Sequence, residues 1–141
     1  MEIEREVLET DILIVGAGPA GLALAYHLAQ LVSRDDGVEM PEILLMDKGA
    51  YPGAHALSGA VMDPRALAEL IPDYKERGAA LEAEVSGDTF YLLTANSAIQ
   101  APLLPPPLKN HGNYVVSLNK LTGWLAEQVE AAGVDVFAGL A

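Results

Sequence analysis

Along the first fifty residues the hydrophobic pattern changes period twice. Asp11-Ile-Leu-Ile-Val15 is a continuous apolar run, the pattern of a central parallel strand covered on both faces. From Pro19 to about Val32 the apolar positions Leu22, Ala25, Tyr26 and Ala29 recur at helical spacing, and a proline in the first helical turn forfeits no needed hydrogen bond. Residues 33–41 are a polar surface loop, after which Ile43-Leu-Leu-Met46 forms a second apolar run ending at Asp47. Strand, helix and strand in this order predict a βαβ unit.

Beyond Asp47 the periodicity is less regular. Residues 48–60 are glycine-rich and lack a steady period, while Asp63-Pro64 opens a short helix with leucines at 67 and 70 that stops before Pro72. Segments 81–85, 89–94 and 97–100 read as short antiparallel strands of an inserted meander, and four prolines between Ala101 and Leu108 forbid a central strand there. Tyr114–Leu118 resumes as a strand. Asn119 is placed to cap a helix reaching about Ala132, with Leu121, Trp124, Leu125, Val129 and Ala132 on one face and Gly133 as its stop. Residues 134–137 form a last strand, which like the meander still needs neighbours, so the chain is expected to be a piece cut short at its C-terminus.

Composition narrows the function. The 141 residues suffice for about one domain, and 51% hydrophobic with 20% charged residues is the balance of a chain that packs a core. A net charge of −12 repels phosphate backbones and argues against nucleic acid as a partner. The absence of cysteine excludes a disulfide, a thiolate zinc site or a Cys-ligated iron–sulfur cluster within these residues. Met1-Glu-Ile-Glu-Arg-Glu6 is acidic, unlike the basic start of a signal or transit peptide, which makes the cytoplasm the expected compartment. Ile12 to Val32 is an uncharged stretch of 21 residues, but three glycines and Pro19 interrupt it, and Tyr26, His27 and Gln30 would be buried in lipid; it is not expected to span a membrane.

The first chemistry lies at Gly16-Ala17-Gly18-Pro19-Ala20-Gly21, the spacing of a dinucleotide-binding fingerprint between strand and helix. Gly16 serves the tight turn, Gly18 the approach of a pyrophosphate, and Gly21 the close packing of helix on strand, while the helix N-terminus offers free N–H groups. Asp47, 26 residues after Gly21, is placed to accept hydrogen bonds from the adenosine ribose hydroxyls, with the residues beyond the usual spacing of about 20 absorbed by the 33–42 loop. Lys48 beside it either lies over the adenine or faces water. Such fingerprints serve nicotinamide and flavin dinucleotides alike. A glycine-rich crossing loop and a long insertion after Asp47, in place of another βα unit, favour the extended flavin nucleotide FAD.

Three further motifs are more specific: Gly53-Ala-His-Ala-Leu-Ser-Gly-Ala-Val-Met-Asp-Pro-Arg65, Ala68-Glu-Leu-Ile-Pro-Asp-Tyr74 and Asn110-His-Gly-Asn-Tyr-Val-Val-Ser-Leu118. With them the chain, from about Asp11 to Gly139, resembles the N-terminal part of the electron transfer flavoprotein:ubiquinone oxidoreductase family. Geranylgeranyl-reductase-like flavoproteins share the fingerprint without this combination. The resemblance implies an FAD enzyme that takes electrons from reduced electron transfer flavoprotein and passes them to ubiquinone at a membrane surface. It implies that Gly16 to Gly21 and Asp47 hold FAD, that Ala54 to Gly59, Leu57 included, cross near the flavin, and that His55 and Ser58 donate to flavin or phosphate oxygens, where the plain alternative is that both brace a tight loop. It further implies a [4Fe–4S] cluster held by cysteines in a C-terminal region that this chain lacks, and a peripheral position on the cytoplasmic face of a bacterial inner membrane.

The expected fold is therefore α/β: a Rossmann-like, glutathione-reductase-like FAD-binding βαβ domain with an inserted antiparallel β meander. Residues 1–60 form the FAD-binding unit and crossing loop, 61–118 begin an inserted substrate or quinone domain, and 119–141 return to the first sheet. By resemblance, Phe90-Tyr-Leu-Leu93 and Leu103-Leu104 belong to a shallow apolar plateau that enters one leaflet; the alternative is that they fill the core of the inserted domain. No catalytic residue and no metal ligand is assigned, since His27 and His111 have no acid or second histidine at ligand spacing. The open alternatives are an FAD-dependent isoprenoid reductase or monooxygenase, and a non-catalytic dinucleotide-binding module.

Overall fold

The computed structural model describes residues 7–35, 37 and 39–140. The acidic run Met1–Glu6 lies outside the described residues, as do Asp36 and Val38 of the polar loop. Two compact units divide the chain: one runs up to Leu57 and resumes at Asn119, and the other comprises Ser58–Leu118.

The first unit is built on a parallel sheet of β1 (Ile12–Val15), β2 (Ile43–Met46) and β8 (Asp135–Phe137), in the order β1-β2-β8. Helix α1 (Pro19–Ser33) crosses from β1 to β2 and lies against both. Ile14, Ile43 and Leu45, which share one sheet face by register, are buried, as are Leu22, Ala25, Tyr26 and Ala29 on the helix. Ala25, at 0% exposure, is the small residue that lets helix and strands approach closely. Among the described strands β1 pairs only with β2, and Leu13 and Val15 on its other face are exposed, Val15 at 76%, so these residues by themselves cover neither the free edge nor the second face of β1.

Helix α3 (Leu118–Ala131) buries the predicted stripe of Leu121, Trp124, Leu125 and Val129, together with Thr122. It begins at Leu118, two residues before the start that a cap at Asn119 implies. Asn119 is therefore inside the first turn, and its side chain serves a loop rather than capping the helix. Gly133 ends the helix at φ +87°.

The second unit holds β3 (Gly59–Met62), α2 (Arg65–Leu70), β4 (Leu81–Glu84), β5 (Tyr91–Leu93), β6 (Ala98–Gln100), a 3-10 turn at Pro106–Leu108 and β7 (Tyr114–Ser117). Its first sheet is antiparallel with order β3-β7-β4. The predicted meander strands all form, but they separate: β4 pairs with β7, while β5 and β6 make a ribbon of their own. The cause lies at residues 85–88. Val85 exchanges backbone hydrogen bonds with Gly112 and Asn113, and Asp88 accepts from the backbone N–H and the Nδ2 of Asn110, so the chain is fastened away from the sheet before β5 begins. β3 was not anticipated, because its Gly-Ala-Val-Met stretch follows a glycine-rich loop and its partner lies more than fifty residues on. Leu67, Ile71, Tyr74 and Val116 are the buried apolar residues of this unit.

The β5–β6 ribbon shows no burial on either face. Leu92 and Ile99 are cross-strand partners on one side, Tyr91 and Leu93 point to the other, and all are half or more exposed, Leu93 at 74%. The turn is closed by Thr94 and Ser97, whose hydroxyls lie 2.7 Å apart and whose backbones are joined by a 2.8 Å hydrogen bond. The run 90–93 therefore packs into no core formed by the described residues, and Leu103 in the proline loop is exposed as well. No helix among the described residues is long and apolar enough to cross a membrane.

Candidate functional site

The fingerprint occupies the turn between β1 and α1, and its three glycines are there for three different reasons. Gly16 has φ +109°, a conformation that a side chain makes costly. Gly21 has no room: a Cβ there would collide with the carbonyl oxygen of Gly16. Gly18 satisfies neither condition. It is the residue before the helix at φ −81°, ψ 175°, ordinary extended backbone, and a Cβ built on it meets no atom within 4 Å. The described residues do not require glycine there, whereas a group lying against that backbone would.

Opposite Gly18 stands Asp47, half-buried at the end of β2. Its Oδ2 accepts the N–H of Ala17 at 2.7 Å and its Oδ1 accepts the N–H of Gly49 at 2.6 Å. These two backbone donors, Gly49 first, hold the carboxyl below its ordinary pKa, with His55 and Lys48 adding a smaller push in the same direction. Its backbone is engaged too: its N–H donates to Phe137 and its carbonyl accepts from Leu140. Asp47 thus joins the fingerprint turn, the exit of β2 and the exit of β8. A carboxylate oxygen accepts more than one hydrogen bond, so both remain able to receive a sugar hydroxyl.

Two cavities flank this carboxylate and share Asp47 and His55 in their walls. One, of about 260 Å³, is lined by Val15, Gly16, Met46, Lys48 and Leu140 as well. Its lining joins the apolar side chains of Val15, Met46 and Leu140 to a carboxylate and an exposed ammonium, a combination suited to an adenosine. The other, of about 100 Å³, runs between the fingerprint and the crossing loop, where Ala17, Gly18 and Pro19 face Gly53, Ala54, Ala56 and Thr122. Pro19 opens α1, so the N–H groups of Ala20 and Gly21 in its first turn have no intrahelical acceptor, and the helix dipole favours an anion there.

The crossing loop is held by α3. Asn119 Nδ2 donates to the carbonyl of Gly53 at 2.8 Å, and Gly53, at φ +85°, sits so close that a Cβ would lie 3.0 Å from both the Asn119 carbonyl and Thr122 Cβ. Sequence reasoning missed Gly53, Asn119 and Thr122 as parts of this site. The only available signal was that Asn119 and Thr122 are one turn apart on a helix, and nothing local connects them to a loop 66 residues away.

The residues singled out from the sequence are not all gathered here. Gly16 to Gly21, Asp47, Lys48 and His55 surround the two cavities; His55 is exposed at their junction. Leu57 is 94% exposed at the end of the first unit. Ser58 and Gly59 belong to the second unit, where Ser58 accepts the Leu118 N–H and Gly59 opens β3 with room for a Cβ only 3.1 Å from the Val116 carbonyl. Gly59 therefore has a packing reason of its own. His111 faces the Ser86 carbonyl at 3.0 Å, and no group of three or more His, Asp or Glu stands at metal-binding range among the described residues.

Residues 14–75 match the family of NAD(P)-binding Rossmann-like domains. The whole chain is 49% identical over 142 residues to the mitochondrial electron transfer flavoprotein-ubiquinone oxidoreductase of Sus scrofa. It is 48% identical, over 99% of its length, to the electron transfer flavoprotein-ubiquinone oxidoreductase of Pseudomonas aeruginosa. It spans 23% of the first protein and 25% of the second. Among solved structures, a geranylgeranyl bacteriochlorophyll reductase-like protein from Thermoplasma acidophilum superposes with TM-score 0.60 at 24% identity, covering 92% of this chain and 30% of that one. A myxobacterial FAD-dependent halogenase gives TM-score 0.61 at 20% identity, covering 92% and 28%. These likenesses confirm the α/β, Rossmann-like fold.

Proposed function

Because the chain belongs to the electron transfer flavoprotein-ubiquinone oxidoreductase family, as a stretch of about a quarter of its members' length, we propose that it binds the adenosine diphosphate end of FAD in an enzyme passing electrons from reduced electron transfer flavoprotein to ubiquinone. The observation that carries this reading is Gly18, a glycine that neither backbone conformation nor packing demands, at the N-terminus of α1. The apolar cavity beside Asp47 supports a place for adenosine, and the return of residues 53–56 over the fingerprint supports an extended nucleotide. Bound flavin supplies the redox chemistry; the residues here position it, Asp47 by accepting ribose hydroxyls and α1 by facing the diphosphate. With no cysteine in its 141 residues, this stretch gives no thiolate to an iron–sulfur cluster, and the [4Fe–4S] centre implied by resemblance belongs, on this reading, to sequence outside it.

The same proposal places the enzyme on the cytoplasmic face of a bacterial inner membrane, held by apolar contact. The support is the β5–β6 ribbon, which exposes Tyr91, Leu92, Leu93 and Ile99 on both faces next to Phe90 and Leu103, while a net charge of −12 opposes attraction to anionic lipid. Titration of the chain with FAD, followed by flavin fluorescence, tests the cofactor; no saturable binding would refute it. Quinone reduction that depends on reduced electron transfer flavoprotein, assayed with the gene product bearing this sequence, tests the reaction. For the membrane, the double variant Phe90→Ser, Leu93→Ser should lose most co-sedimentation with liposomes, and wild-type binding should survive high salt. A folded double variant that still sediments would remove the ribbon from the membrane contact.

A further inference from the structure

Residues 89–109 leave the antiparallel sheet of the second unit and return to it, carrying the β5–β6 ribbon and the proline loop. The ribbon closes on itself: the Ala101 N–H donates to the Phe90 carbonyl at 2.9 Å, and Thr94 and Ser97 join its other end. With both faces exposed, it takes no direction from packing. Direction has to come from its root, and there the bonds are dense. Asp88 Oδ2 accepts the Asn110 N–H at 2.7 Å and Oδ1 accepts Asn110 Nδ2 at 2.9 Å, so one half-buried carboxylate grips both donors of a residue 22 positions on. A charged acceptor makes both bonds stronger than neutral ones. Asn110 Nδ2 also donates to the Leu108 carbonyl at 3.2 Å, and Asn110 Oδ1 accepts from Asn113 Nδ2 at 3.4 Å. The proline loop is otherwise joined mainly to itself, from Leu108 to Pro105 and from Lys109 to Pro106.

We propose that the Asp88–Asn110 pair positions the lipid contact: by tying the start of the ribbon to the end of the proline loop, it holds Phe90 to Leu93 and Leu103 ready to meet a bilayer together. The inference rests on the membrane reading above and adds two polar residues at the root of the ribbon to it. Apolar insertion gains with the area buried, and a surface made of two segments buries its full area at least cost when the segments are held together beforehand. The ribbon's own bonds keep 90–93 in place. Leu103 depends on the root, because the loop that carries it is fastened there through Asn110.

Asp88→Ala, Asn110→Ala and the exchange Asp88→Asn, Asn110→Asp, made in the full-length gene product bearing this sequence, provide the test by co-sedimentation with phosphatidylcholine vesicles. A vesicle without net charge removes the effect of altering the protein's charge. Each single variant should lower the partition constant about fivefold, with circular dichroism unchanged. The exchange should return it to within about twofold of wild type, because the new amide at 88 accepts the backbone N–H of 110 and donates to the new carboxylate. Asp63→Ala, which removes a carboxylate and its ion pair with Arg65 elsewhere in the same unit, should leave partition unchanged. Wild-type partition in both single variants, an exchange as weak as either of them, or an equal loss in Asp63→Ala would each overturn the positioning role. Wild-type protein that fails to sediment with the vesicles would instead strike the membrane reading itself.

Discussion

Asp47 and Asp88 do the same local work in two regions of the molecule. Each carboxylate gathers two N–H donors, Asp47 from Ala17 and Gly49 and Asp88 from the backbone and side chain of Asn110, and each is held below its ordinary pKa by those bonds. Each also has nearby a glycine on which a Cβ would meet nothing, Gly18 in one case and Gly87 in the other. The difference lies in the surroundings. Gly18 is half-buried at the N-terminus of a 15-residue helix and lines a cavity, whereas Gly87 is exposed in a loop. A pair of hydrogen bonds to a carboxylate, or an unobstructed glycine, marks a folded loop. A binding site is marked when these converge on enclosed space with donors left over.

The glycines give the largest expected effect. Gly18→Val should abolish FAD retention while the circular dichroism spectrum stays that of wild type, because a Cβ at this position meets no protein atom within 4 Å and would instead meet the diphosphate on the proposed reading. Gly87→Val should change neither. Loss of FAD in both variants would erase the distinction between the two regions, and loss of folding in Gly18→Val would show that the fold does need that glycine.

Removing the carboxylates should separate the regions less sharply. Asp47→Ala is expected to weaken FAD binding by about 1–3 kcal/mol, the cost of a charged hydrogen-bond acceptor. Asp88→Ala should leave the affinity unchanged and instead speed amide exchange at Asn110 and Gly112, whose loop it fastens. Equal affinities for Asp47→Ala and wild type, by titration, would reduce Asp47 to a loop brace like Asp88.

Acid should have the smallest effect and should treat the two regions alike. A carboxyl whose folded pKa is lowered contributes stability that is complete above its unfolded value and is lost as pH falls through the folded one. Stability should therefore decline below about pH 4, and Asp47→Asn or Asp88→Asn should each flatten part of that decline. A denaturant midpoint with the same acid slope in both variants as in wild type would show that neither carboxylate contributes.

Much of the first unit was legible in its residues because its signals are local. The helix period over 19–32, the apolar runs on either side of it and the glycine spacing all act within a few residues of chain, so β1, α1, β2 and the placement of Asp47 at a strand end follow from short stretches. The restricted roles of Gly16 and Gly21 follow in the same way from a turn and a close approach. The second unit was legible as strands without partners. Its segments are short, two are glycine- or alanine-led, and several pairings satisfy their backbones equally well on paper.

What the sequence determined by itself was thus the βαβ unit, the fingerprint spacing, and a stretch of 141 residues with no cysteine and a net charge of −12. Only the tertiary structure decided that β2 stands between β1 and β8, that β4 leaves its neighbours for β7, that Phe90 to Leu93 pack into no core among the described residues, and that Thr122 packs against Gly53 of the crossing loop. The reason is physical: periodicity and backbone sterics act over a turn or two of chain, whereas burial and strand pairing are properties of segments brought together from far apart, and no residue carries the name of its distant partner.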